Sequence, residues 1–415
     1  MNHDAFFSRT AEAMQQSPIR QMGQVAANRS DLISFAPGYP GPDSFAWDDY
    51  RAIVAELLTG ADAHVLQYGE TRGYKPLVDR LVALTRERGI AATPEQTLVT
   101  TGSQQSLDLL ARVLLDPGDV VLLELPSYTG AIAAFRNTRA TLVGVRQRPD
   151  GIDLDDLDAA LSRARSAGER VKLLYLIPNF QNPTGSLLSL AKRRALLEWA
   201  ARADVLILED DPYGALHFDD VASAQDTRPI KADDRDDRVI YVSSFSKTLT
   251  PGFRTAWIVA APVLTAKVEV AKQAADICTS ELDQRIVHEA IGRGVLARQV
   301  PLLRRYYQHK RTVMEGALRE HLSGWVSWPT PKGGFFLWLD LPAGMNCHSL
   351  LRRSTDNGVI FVAGSAFYID GSGTDRVRLS FSLVSPDQIV DGIRRFASAV
   401  TAEAERLNLA PPAVA

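Results

Sequence analysis

Long apolar runs are missing from this 415-residue chain. The most continuous stretches, such as Val120–Leu123 and Trp257–Ala261, fall far short of the roughly 18–20 residues that span a bilayer, so no membrane partner is expected. Cysteine is scarce: Cys278 and Cys347 are the only two, too far apart for a CxxC redox or zinc motif. They read as buried free thiols in a reducing compartment. An excess of either charge is also lacking, since 46 basic side chains face 49 acidic ones, for a net charge of −3. That balance gives no electrostatic footprint for nucleic acid. The amino-terminal stretch MNHDAFFSRTAEAM carries Asp4 and Glu12 and lacks the basic and apolar regions of a secretory signal. A cytoplasmic protein is the expectation. Internal repeats and low-complexity tracts are absent as well, which removes solenoid architectures.

What is present is an ordinary globular composition, 46% hydrophobic and 23% charged, on a length that suits two or three domains. Apolar, β-rich runs recur at Thr97–Thr101, Val120–Leu125, Thr141–Val145, Val171–Ile177, Val205–Glu209, Val239–Val242 and Ala256–Ala260. Their near-continuous apolarity predicts strands covered by helices on both faces. Helical stretches are predicted between them over Gln104–Leu115, Leu154–Ala167 and Leu188–Ala203. This is an α/β pattern with a mostly parallel, seven-stranded sheet. After about residue 262 it gives way to an interrupted helical region, Val263–Gly316, then to shorter strand candidates at Phe335–Leu341, Val359–Val362 and Val377–Ser382. A second, smaller α+β domain follows from that change. The Pro- and Ala-rich tail, Leu409–Ala415, is expected to be frayed.

In open α/β sheets ligands bind beyond the carboxyl ends of strands, and four such ends carry unusual polar groups. Thr100-Thr101-Gly102-Ser103-Gln104-Gln105 joins a strand to a helix whose first N–H groups attract an anion; a plain Ser N-cap is the simpler account. Asn182, in Asn182-Pro183-Thr184-Gly185, offers an amide to a phenolate or carboxylate, although the segment is also a good turn. Glu209-Asp210-Asp211-Pro212-Tyr213 ends a buried run with three carboxylates, which need cations, a metal or a capping role for Asp211. No His lies within five residues of the three carboxylates, which argues against a metal. Ser243 to Arg254, with Ser244, Ser246, Lys247 and Arg254, forms a receptacle for a phosphate and holds a lysine whose burial favours the nucleophilic neutral amine. Solvated surface cations account for any one of these residues but poorly for the set.

Together these are the parts that pyridoxal 5′-phosphate requires: an anion site, an acid for the ring nitrogen, donors for the phenolic oxygen and an amine for the aldehyde. In order and spacing they resemble the fold-type I, class I/II aminotransferases over essentially the whole chain. The resemblance makes Lys247, in Ser-Lys-Thr-Leu-Thr-Pro-Gly-Phe-Arg, the Schiff-base lysine and Arg254 a phosphate ligand. It implies that Asp210 pairs with the pyridine nitrogen and that Tyr213 and Asn182 contact the 3′-oxygen. Ser103, Gln104, Ser244 and Ser246 become phosphate contacts, and Tyr128 the ring stacked on the cofactor. Arg378, in Val377-Arg378-Leu379-Ser380-Phe381-Ser382, is similar to the arginine that pairs with the substrate α-carboxylate. Phe35-Ala36-Pro37-Gly38-Tyr39-Pro40 resembles the strand whose glycine, here Gly38, lies over the substrate. Gln67-Tyr68-Gly69 resembles a segment whose tyrosine reaches the neighbouring subunit's phosphate, which implies a homodimer with shared sites. The implied organisation is an amino-terminal segment (1–50) at the substrate entrance, a large cofactor-binding domain (51–300) and a small carboxyl-terminal domain (301–415).

Within that family the chain is most similar to the α-aminoadipate and kynurenine aminotransferases. Ser17-Pro18-Ile19-Arg20 resembles their amino-terminal helix, whose arginine, here Arg20, can take a distal carboxylate. The implied reaction is ping-pong transfer from an aminoadipate, aromatic or branched apolar L-amino acid to a 2-oxo acid such as 2-oxoglutarate. Pro37, Tyr39 and Ala363 depart from the usual pattern, and Tyr39 is expected at the side-chain pocket. A lyase or decarboxylase on the same fold is the alternative. A regulator's effector domain is disfavoured because only about 16 residues precede Ser17. A dinucleotide site at Gly292–Ala297 fails, because that G-x-G-x-x-A follows a helical stretch.

Overall fold

A computed structural model of the chain describes residues 1–27, 29, 31–60 and 62–410. Residues 411–415 of the tail lie outside the described residues. In chain order, α1 (Arg9–Ala13) and α2 (Pro18–Ala27) lead to β1 (Ile33–Ser34), α3 (Trp47–Thr59) and α4 (Lys75–Glu87). Strands and helices then alternate: β2 (Thr97–Thr101), α5 (Ser103–Leu114), β3 (Val120–Leu125), α6 (Thr129–Asn137), β4 (Thr141–Arg148), β5 (Gly151–Ile152), α7 (Leu154–Ser166), β6 (Val171–Leu176), α8 (Leu190–Ala203), β7 (Leu206–Asp210), β8 (Val239–Ser244) and β9 (Thr255–Val259). The remainder comprises α9 (Pro262–Asp276), α10 (Glu281–Gly292), α11 (Val295–Leu322), β10 (Phe336–Asp340), α12 (Cys347–Asp356), β11 (Val359–Ile360), β12 (Val362–Ala363), β13 (Arg376–Ser380) and α13 (Pro386–Arg406).

The seven expected strands pair in the order β2-β9-β8-β7-β6-β3-β4, and the two-residue β5 adds an eighth, antiparallel edge strand that is too short to leave a periodic signal. Strands β8, β7, β6, β3 and β4 run parallel, and β9 alone among the long strands runs the other way. Its neighbour β2 is antiparallel to it, so the carboxyl ends of β2, β3, β6, β7 and β8 share one edge with the start of β9. Both sheet faces are covered, which explains the unbroken apolar runs. Leu173 and Leu208 pack on one side with Leu107, Leu110 and Phe135, whereas Leu174 and Ile207 pack on the other with Leu157, Leu196 and Trp199.

Several boundaries move for local reasons. Helix α8 starts at Leu190, two residues late, because the Ser189 side chain caps it by accepting from the Lys192 N–H. Ser103 is the first residue of α5 and not its cap; Gly102 takes that place at φ +79°, a conformation a side chain would strain. The single strand expected over Val359–Val362 divides between two sheets: β11 pairs in parallel with β1, and β12 pairs with β13 beside β10. Helix α11 crosses residue 300 unbroken. Cys347 is buried as expected, but Cys278 is only half-buried because it lies in the short link between α9 and α10. Among the described residues, no helix is long and apolar enough to cross a membrane.

Candidate active site

The common edge of the sheet gathers residues from six separate points of the chain. Lys247 ends a single 3₁₀ turn after β8, and its Nζ donates to the Gly38 carbonyl at 2.9 Å. Burial pushes its amine down to about 8, helped by the positive charges of Arg378 and Arg254 and opposed by Asp210. Asp210, the last residue of β7, is 2% exposed. Its Oδ2 accepts from the Tyr175 hydroxyl at 2.9 Å, whereas Oδ1 is buried without any partner. Burial pushes this carboxyl up to about 7. Tyr213 packs its ring on Phe335 and Phe336, and burial raises its phenol well above the usual value.

The sheet's pleat sorts the three adjacent carboxylates. Glu209 accepts from the Ile230 and Lys231 N–H groups at 2.9 Å each, on the other side of the strand. Asp211 is closed by Asn179, Arg88, Tyr241 and the Gly214 N–H, at 2.9–3.1 Å, so it caps no helix. Only Asp210 keeps an open oxygen. Among the described residues there is no group of three or more His, Cys, Asp or Glu side chains placed to hold a metal ion.

The residues expected to hold a phosphate come from the start of α5 and the segment between β8 and β9. Ser103 and Gln104 open α5, and Arg254 precedes β9 with its guanidinium packed on Gly102, where an added Cβ would collide with it. Ser244 is buried, and its hydroxyl donates to that of Ser246 at 2.8 Å. Tyr128 follows β3, and its hydroxyl approaches Gln104 Oε1 at 3.4 Å.

From β13, the middle strand of the three-stranded sheet β10-β13-β12, comes Arg378. It is 1% exposed, lies over the rings of Phe336 (4.3 Å) and Phe367 (4.9 Å), and donates to Asn182 Oδ1 at 2.8 Å and to the Ala36 carbonyl. Its Nε has no partner, and burial lowers its guanidinium to about 10. Gly38 is pressed against Phe336, whose Cζ would lie 2.5 Å from an added Cβ, so this segment needs glycine there.

The other expected residues stand further out. Arg20, on α2, is exposed but close enough that its charge acts on the Tyr128 phenol. Tyr39 is 43% exposed and lines a surface cavity of about 370 Å³ with Leu32, Pro37 and Val384. Tyr68 is 76% exposed and is not brought to the site of its own chain. Tyr175, in contrast, was not expected. It sits inside an apolar run, where a tyrosine reads as core and nothing in the spacing points to Asp210.

The sequence profile of the family described as aminotransferase class I and II matches residues 39–396. The chain belongs to this family. A 2-aminoadipate transaminase of Thermus thermophilus is 39% identical over 394 residues, covering 95% of this chain and 96% of that protein. An aromatic-amino-acid aminotransferase of Thermococcus litoralis is 37% identical over 407 residues, covering 98% and 96%. Among solved structures, the α-aminoadipate aminotransferase LysN of Thermus thermophilus, complexed with N-(5′-phosphopyridoxyl)-L-leucine, superposes with a TM-score of 0.89 at 36% identity, covering 98% of this chain and all of that one.

This aminotransferase uses pyridoxal 5′-phosphate and has the fold-type I architecture. Its own residues fit the cofactor. Among the described residues Asp210 Oδ1 has no donor, the Arg254 guanidinium fills the space a Cβ on Gly102 would take, and burial lowers the Lys247 amine to about 8, a donor set that suits an acidic phosphate, a ring nitrogen and an aldehyde.

Proposed function

We propose that the protein transfers the amino group of an aminoadipate, aromatic or branched apolar L-amino acid to a 2-oxo acid such as 2-oxoglutarate. The observation that carries this reading is Arg378: a fully buried guanidinium with no carboxylate among its described partners, near enough that its charge lowers the Lys247 amine. A buried cation left without an anion is costly, and a substrate α-carboxylate removes that cost through a bidentate pair. Bound here, pyridoxal 5′-phosphate supplies an aldehyde for the amino group and a ring that draws off the electrons of a broken α-bond.

The chain's own residues divide the remaining work. Ser103, Gln104, Ser244, Ser246 and Arg254 would hold the phosphate, Tyr128 would pack on the ring, and Asn182 and Tyr213 would donate to its 3′-oxygen. Asp210 Oδ1 would accept from the ring nitrogen. Lys247 Nζ, whose burial favours the neutral amine, would remove the α-proton of the donor and hold it for return. Gly38 and Tyr39 border the substrate, and Arg20 takes a distal carboxylate. The donor leaves as a 2-oxo acid before the acceptor enters, a ping-pong order. Residues 51–300 carry the cofactor, 301–415 carry Arg378, and 1–50 form the entrance. Tyr68 serves the partner's phosphate in a cytoplasmic homodimer.

Initial rates at several fixed 2-oxoglutarate concentrations test this. Parallel double-reciprocal lines with aminoadipate, aromatic or leucine-type donors are expected. Intersecting lines, or release of carbon dioxide or ammonia in place of a 2-oxo acid, would overturn it.

A further inference from the structure

Tyr175 lies inside β6, opposite Leu208 in register with β7, so its side chain emerges on the sheet face that also bears Asp210, two residues further along. The ring is fully buried and meets Phe135 edge to face at 5.6 Å. Its hydroxyl donates to Asp210 Oδ2 at 2.9 Å. The same carboxylate leaves Oδ1 buried and unpartnered. One oxygen is therefore tied into the protein and the other is held free, on the residue that ends the central strand.

We propose that Tyr175 is the positioning residue for the cofactor's ring nitrogen: its hydroxyl locks the Asp210 carboxylate with Oδ2 turned inward and Oδ1 presented to the ring. The inference rests on the reading that Asp210 pairs with that nitrogen. The torsion that turns a carboxylate is broad, so Asp210 alone does not fix the direction in which its free oxygen is presented. A donor on one side fixes it. Tyr175 is a permanent donor, because burial and the Asp210 charge push its phenol far above the usual value. The bond also favours the ionised carboxylate against the burial and the neighbouring Asp211 charge that raise Asp210, while Lys247 acts in the same sense as Tyr175. A core tyrosine whose hydroxyl merely found a convenient acceptor would show the same distance, so the two accounts separate only by coupling.

The test is a double-mutant cycle on cofactor affinity. Dissociation constants for pyridoxal 5′-phosphate are measured by equilibrium dialysis on the cofactor-free protein, for wild type, Tyr175→Phe, Asp210→Asn and the double variant. Phenylalanine keeps the ring against Phe135, so packing is retained. Tyr175→Phe is expected to weaken binding about tenfold, the scale of one hydrogen bond to a charged group. Asp210→Asn should weaken it at least as much, and adding Tyr175→Phe to it should change affinity by less than about twofold. The inference is overturned if Tyr175→Phe alone binds as wild type, or if its loss recurs in full on the Asp210→Asn background. Wild-type affinity in Asp210→Asn would instead remove the reading of Asp210, and the inference with it.

Discussion

Two sets of buried charge meet at the end of β7, and they are finished to different degrees. In the set around Asp211 every group is closed within the chain: Asp211 takes four donors, and Arg193 donates to the carbonyls of Leu188, Pro178 and Arg228 and to Asn179 Oδ1. In the set around Asp210 the groups are left open. Among the described residues Asp210 Oδ1 and Arg378 Nε have no hydrogen-bond partner, and Lys247 Nζ bonds to a carbonyl and lies over the Phe335 ring, with no carboxylate paired to it. A closed buried charge holds the fold together, whereas an open one costs stability that a ligand restores. Adjacent residues, one ending β7 and the other just beyond it, thus serve opposite ends, and the open set marks the candidate site.

The sharpest way to break this comparison is to remove the open amine. Lys247→Ala is expected to lower turnover by about 10⁴-fold, since no other described base shares its position. Noncovalent cofactor binding, followed by absorbance after gel filtration, should survive because the phosphate contacts remain. A variant that turns over without added amine would contradict the assignment.

Arg378→Lys comes next. A lysine keeps the charge but loses the bidentate fork and the stacking on Phe336 and Phe367. The KM of every amino donor should rise about 100-fold, with the acidic and apolar donors affected alike. The smallest expected effect belongs to Arg20, which is exposed on a short amino-terminal helix. Arg20→Ala should raise KM for 2-oxoglutarate and acidic donors about tenfold, one charge-assisted hydrogen bond, and leave leucine-type donors unchanged in the donor half-reaction. Equal losses for both classes would make Arg20 a support of the entrance and not a selector.

The sheet was legible because helices on both faces let runs such as Val120–Leu125 be almost wholly apolar. The strand ends were legible because polar groups interrupt those runs abruptly. What the sequence withheld was side-chain direction and pairing at a distance. Three carboxylates in a row look equivalent until the pleat sends Glu209 one way and Asp210 the other. Tyr175 looks like core until its hydroxyl is seen on Asp210, and Arg378 gives no hint of Phe336, which lies 42 positions earlier. The strands β1, β5, β11 and β12 have two residues each, too few for any period to register.

The central claim is tested most directly by comparing Asp210→Asn with Asp211→Asn in the cofactor-free protein, reading the unfolding midpoint at pH 5 and pH 8. The folded-state carboxyl of Asp210, at about 7, lies above its unfolded value. The native state therefore keeps a proton that the unfolded chain has lost, and stability falls as pH rises from about 4 to 7. Asp210→Asn abolishes that fall, so it should be more stable than wild type at pH 8 and less clearly so at pH 5, while losing cofactor affinity. Asp211→Asn turns an amide onto four donors and should be less stable by about 3 kcal/mol at pH 8. A destabilised Asp210→Asn beside an Asp211→Asn as stable as wild type would contradict the division into open and closed charges.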